Sequence, residues 1–77
     1  MELKDFIEKF AEQFEDTDAS VFTSETKFRE LDEWSSIIAL SIIAMVDEEY
    51  GITLKAVDMQ SAHTVGDLFE IVSAKFA

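Results

Sequence analysis

Two hydroxyls stand side by side, Ser35 and Ser36, where the acidic stretch Glu30, Asp32 and Glu33, closed by Trp34, gives way to a strongly apolar run beginning at Ile37. A serine in that setting is presented, not buried. Its hydroxyl can attack an electrophile, accept a covalent group, or cap a helix by taking a backbone N–H. Hydrolytic attack lacks its partners: the chain has one histidine, His63, and no Gly-x-Ser-x-Gly elbow or glycine-rich oxyanion turn. His63, just ahead of the last apolar stripe, reads as a surface or capping residue. Asp16, Asp18 and Ser20 have the opening spacing of a calcium loop, but Val21 stands where that loop needs glycine and Lys27 where it needs a bidentate glutamate. Seventeen acidic residues supply carboxylates in number, yet nothing singles out a pair for acid and base work. With no phosphate-binding glycine loop either, the chain is expected to be non-catalytic and to hold no metal. A modification site and a helix cap are the two readings left for Ser35 and Ser36.

The elements that must position these hydroxyls follow from periodicity. Leu3, Phe6, Ile7, Phe10 and Phe14 recur at helical spacing among charged residues, which predicts an amphipathic first helix. From Glu15 to Ser35 the period lapses, and Val21, Phe22, Phe28 and Leu31 are expected to pin a long loop to the core. Between Ile37 and Val46 nine of ten residues are apolar, so the second helix is expected to face the core on one side and a partner or ligand on the other, unless it is wholly central. Gly51 is its natural stop. Lys55 to Ala62 hold a short helical segment with Val57 and Met59 as core contacts. Thr64 caps a last helix, with Asp67 three residues on and an apolar stripe of Val65, Leu68, Phe69, Val72 and Phe76. The expected fold is all-α: an antiparallel four-helix bundle, three helices long and one short, with a long loop between helices 1 and 2.

Size and charge limit what such a bundle can do. At 77 residues, one domain spanning 1–77 is expected, near the size at which a core only just outweighs chain entropy. No cysteine is present, so disulfides, thiolate chemistry and cysteine metal sites are excluded. Six basic against seventeen acidic residues give a net charge of -11, which repels phosphate backbones and favours basic protein surfaces over nucleic acid. The longest apolar run is far short of a membrane span. A soluble, unprocessed, cytoplasmic monomer is expected.

The chain combines Phe28-Arg29-Glu30-Leu31 ahead of Ser36-Ile37, then Asp47-Glu48-Glu49-Tyr50-Gly51-Ile52, then Thr64-Val65-Gly66-Asp67-Leu68 opening the last helix. Over essentially its whole length this resembles the acyl carrier protein family. The resemblance implies that Ser36, found by counting back from Tyr50, is an attachment point for 4'-phosphopantetheine, transferred from coenzyme A by a phosphopantetheinyl transferase. The arm's thiol would carry acyl or aminoacyl groups as thioesters to partner enzymes of fatty-acid, polyketide or specialised biosynthesis. A chain without cysteine suits that role, because the arm supplies the thiol.

Departures from the family pattern bear on partners. Ser35 replaces the usual aspartate, which keeps a cap but removes a charge, and it becomes a rival acceptor. Ile37 replaces leucine, and Ser41 stands where an exposed glutamate is usual. Contacts with basic or apolar patches of partner enzymes are therefore expected from Trp34, Ser35, Ile37, Ser41, Met45, Asp47 and Glu48, although Trp34 could instead shield the helix start. Phe6, Leu40, Ile43, Val46, Ile52, Leu54, Leu68 and Phe69 either wall a space for an acyl chain or fill it. The competing class is an unmodified acidic adaptor module that binds a basic partner and carries nothing.

Overall fold

The computed structural model describes residues 2–76, and among them four helices and no strands are found. Helix α1, Leu3–Ala11, buries Phe6, Phe10 and Ala11 on its apolar face. It stops one turn short of the stripe's end. The amides of Gln13 and Phe14 bond back three residues, to Phe10 and Ala11, at 3.2 and 3.0 Å, and the Gln13 side chain donates to the Lys9 carbonyl at 3.1 Å. Phe14 nevertheless stays buried, because a tightened last turn still delivers it to the core side.

The long loop is tied down at both of its 3-10 turns, Ala19–Val21 and Phe28–Glu30. Phe22 and Phe28 are buried as anchors, and Leu31 is half-buried against the core. Val21, expected beside them, is 45% exposed. Neighbouring residues leaving a tight turn point apart, and the bulkier Phe22 takes the inward position. Carbonyls of the same loop accept the first amides of the last helix: Val65 donates to Thr26 at 3.1 Å and Gly66 to Ser24 at 2.8 Å. These amides have no partner inside their own helix. Gly66 permits the approach, since a Cβ there would sit 2.9 Å from the Ser24 carbonyl oxygen.

Helix α2, Ser36–Tyr50, ends at Gly51, whose φ of 66° is left-handed and whose amide closes on Asp47 at 2.9 Å. It runs antiparallel to α1. Phe6 meets Tyr50 with ring centroids 6.2 Å apart, Lys9 lies 3.9 Å from Glu49, and Phe14 stacks at 6.4 Å on Trp34 at the other end. Helix α3, Ala56–Ser61, buries Met59 but leaves Val57 61% exposed. Two residues apart on a helix are about 200° apart around its axis, so only one of that pair can face the core. Helix α4, Val65–Phe76, buries Val65, Leu68 and Val72. Its start carries the expected cap: Asp67 N–H donates to Thr64 Oγ1 at 3.0 Å, while Asp67 Oδ2 accepts from the amides of Thr64 and His63. Its end returns to α3 through Lys75 and Asp58, 3.3 Å apart.

Aromatic rings fill the centre. Phe6 packs edge-on to Phe69 at 5.5 Å and lies 6.2 Å from Phe10, which in turn meets Phe28 at 5.5 Å and Phe22 at 6.0 Å. Of the set expected to line an acyl space, Phe6, Val46, Ile52, Leu54 and Leu68 are buried, but Leu40 is 65% exposed. A groove of about 930 Å³ lies elsewhere, between α1 and the loop, over Ile7, Ala11, Phe14 and Phe22.

Candidate functional site

The two serines are set apart by a single hydrogen bond. Ser35 is extended, at φ -157° and ψ 170°, and its Oγ accepts the Ile38 amide at 3.3 Å, which makes it the N-cap of α2. Ser36 is the first residue inside the helix and is exposed. Among the described residues no hydrogen bond engages its hydroxyl. It stands at the positive end of the α2 dipole, beside amides that the helix itself leaves unpaired.

Trp34 leads into this pair half-buried, with its ring 5.0 Å from Phe28 and 6.4 Å from Phe14. Much of the indole therefore shields the helix start. Glu33 turns away from the serines. Its Oε1 accepts from the Thr17 hydroxyl at 2.8 Å and the Asp16 amide at 3.1 Å, and its Oε2 accepts from the Glu15 amide at 2.8 Å. The Thr17 hydroxyl chiefly, with the amides, holds this carboxyl below its ordinary value against a smaller effect of desolvation. Nothing in the residue types marks Glu33 among so many acids, since its donors lie sixteen to eighteen residues away.

Around α2, Ile37, Leu40, Ser41, Ala44, Asp47 and Glu48 fall on one arc at i, i+3, i+4, i+7, i+10 and i+11. Ile37 is 73% exposed and Leu40 65%, so this arc is apolar at the serine end and acidic at the far end. Met45, expected on the contact face, is only 6% exposed. It shares the inward side with Ile42 and Val46, which spacing along an all-apolar helix does not reveal.

A second polar cluster joins the loop to α3. Arg29 Nη1 donates to the carbonyls of Met59 and Gln60, both at 3.0 Å, and Nη2 lies 3.1 Å from His63 Nδ1. A guanidinium only donates, so His63 can serve here only as the acceptor. His63 is thus a surface residue tied to the loop, one of the two places its position in the chain suggests. Asp18, one of the three residues with the opening spacing of the rejected calcium loop, caps its own turn by accepting the Ser20 amide at 2.8 Å.

A family model for the phosphopantetheine attachment site matches residues 4–72. The chain belongs to this family. No curated protein and no solved structure matches it significantly. It is a carrier protein of the acyl carrier type, and its cofactor is covalent 4'-phosphopantetheine. The head of α2 fits such a group: an exposed hydroxyl at a helix N-terminus meets unpaired amides that favour a phosphodiester by about 0.3–1 kcal/mol. The carrier's described residues form no helix long and apolar enough to cross a membrane.

Proposed function

We propose that Ser36 carries the arm and that Ser35 serves as the cap. The observation that supports this choice is the Ile38 amide on Ser35 Oγ, which occupies one hydroxyl and leaves its neighbour open. The spacing from Ser36 to Tyr50 in the family pattern points the same way. With a phosphopantetheinyl transferase, Ser36 Oγ attacks the pyrophosphate of coenzyme A, a phosphodiester forms, and adenosine 3',5'-bisphosphate leaves. The hydroxyl proton passes to a base of the transferase. The attached group supplies a terminal thiol on which acyl or aminoacyl units ride as thioesters.

The exposed arc of α2 is the face we assign to partner enzymes. Ile37 and Leu40 offer an apolar contact beside the serine, Ser41 a neutral one, and Asp47 and Glu48 a charged one for basic patches. Trp34 and Ser35 border it. The filled aromatic centre favours short or polar cargo held outside the bundle, in a fatty-acid, polyketide or specialised pathway. We read 1–77 as one carrier domain, acting as a cytoplasmic monomer.

Incubation with coenzyme A and a promiscuous phosphopantetheinyl transferase tests the assignment. One phosphopantetheine added to the wild type and to Ser35→Ala, and none to Ser36→Ala, is expected by mass. Modification that survives Ser36→Ala would sink the site, and no adduct with several transferases would favour the unmodified adaptor. The cargo reading is checked by thermal shift: a long acyl chain on the arm should leave Tm near that of the unacylated carrier, because nothing is sequestered.

A further inference from the structure

We infer that Glu33 is a positioning residue for arm attachment, a reading that rests on Ser36 as the acceptor. From Asp32 to Ser36 the chain makes few bonds of its own: the Trp34 amide reaches the Leu31 carbonyl at 3.0 Å, and the helix begins only when Ala39 bonds to Ser35. What holds this stretch is lateral. Glu33 clasps the turn at 15–17 through three donors at 2.8 to 3.1 Å, and the next residue, Trp34, stacks on Phe14, which directly precedes that turn. Two consecutive residues, one by charge and one by ring packing, thus lock the approach to Ser35 and Ser36 onto the segment that follows α1.

The chemistry of the clasp suits a fixed strut. A carboxylate accepts two amides and a hydroxyl across its two oxygens, whereas an amide side chain presents one acceptor oxygen and cannot take all three donors. Because the charge of Glu33 is turned toward the loop, its service to the site is to set the path of the backbone, not to meet a partner's basic group. Without it, the segment before Ser36 must be ordered when the transferase docks, and ordering a few side chains weakens docking roughly three- to tenfold. The hydroxyl's own reactivity is untouched.

The experiment compares wild type, Glu33→Gln, Glu33→Ala, Thr17→Val and the Thr17→Val/Glu33→Ala pair as full chains. Steady-state attachment by a phosphopantetheinyl transferase is measured with the carrier as varied substrate. KM for the carrier should rise roughly three- to tenfold in Glu33→Ala, with kcat within about twofold. Thr17→Val should add little in the Glu33→Ala background, because both act through one clasp. Gly66→Ala, which strains the loop at the start of α4, serves as a control of lowered stability and should leave KM unchanged. An unchanged KM in Glu33→Ala, or an equal rise in Gly66→Ala, would overturn the inference. Failure of the Ser36 assignment looks different: wild type takes no arm, or Ser36→Ala still takes one. A readout free of the transferase covers that case. Trp34 is the one tryptophan, so Glu33→Ala should shift its emission to the red and speed amide exchange at Glu15, Asp16 and Trp34 to Ser36. Unchanged emission and exchange would likewise refute the positioning role.

Discussion

Ser35 and Ser36 are identical in type and adjacent in sequence, yet a helix N-terminus gives them unlike surroundings. The residue outside the first turn can fold its hydroxyl back onto an amide, and the residue inside it projects its hydroxyl into solvent. Replacing Ser35 by alanine should therefore cost about 1 kcal/mol in chemical denaturation while arm attachment persists. Ser35→Asp should keep the cap and restore a carboxylate beside the acceptor, so a transferase that docks through basic residues should modify it faster than wild type. Equal rates would show that the missing charge is irrelevant to that enzyme. The cap and its neighbour were legible in the chain because helix starts have a strong residue signature. Glu33 was not, since its partners are brought to it only by the fold.

Helix α2 shows how far periodicity carries at the level of an element. A run apolar at nine of ten positions has almost no preferred side, so its existence is plain and its orientation is not. The bundle decides that Ile42 and Val46 face inward and that Ile37 and Leu40 face out. Ile42→Ala should accordingly lose about 2–5 kcal/mol of stability. Ile37→Gln and Leu40→Gln should stay within about 0.5 kcal/mol of wild type and instead weaken transfer of cargo to a partner enzyme. Stability loss at Leu40 matching that at Ile42, or unimpaired transfer in both exposed variants, would count against the arc as a contact face. The short α3 follows the same logic: with six residues it offers one inward position, and Met59 takes it at the expense of Val57.

Charge acts on the whole molecule. Its extents of 32 × 23 × 20 Å are comparable with a Debye length of about 30 Å at 0.01 M salt and much larger than about 8 Å at 0.15 M. Net charge of -11 therefore repels itself across the entire fold at low salt, and the described ion pairs, Lys9–Glu49 and Lys75–Asp58, are partly exposed and offset little of it. Raising salt should raise Tm; a flat response would refute this. Acid removes a stabilising contribution. Asp18, Asp58 and Asp67, by backbone amides chiefly, and Glu33, by the Thr17 hydroxyl, are held below their ordinary values of 3.8 and 4.5. Their contribution is fully present above those values and is lost as pH falls through the lowered folded ones. Tm should thus fall as pH drops below those ordinary values of 3.8 to 4.5. A Tm that stays flat through that range would count against these hydrogen bonds as a source of stability.

The local signals in the chain determined its helices, their caps at Ser35 and Thr64, the stop at Gly51 and the resemblance that pointed to a carrier. All of these depend on residues within a turn or two of each other, where spacing and side-chain type are enough. Contacts between distant segments were decided only in three dimensions: the clasp of Glu33 on residues 15–17, the bond of Arg29 to His63, the close approach of Gly66 to Ser24, and the burial of Met45 beside an exposed Leu40. An apolar helix has several sides that could be buried and an acidic chain has many carboxylates that could bind. Packing chooses among them, because a bundle this small has room to cover only one.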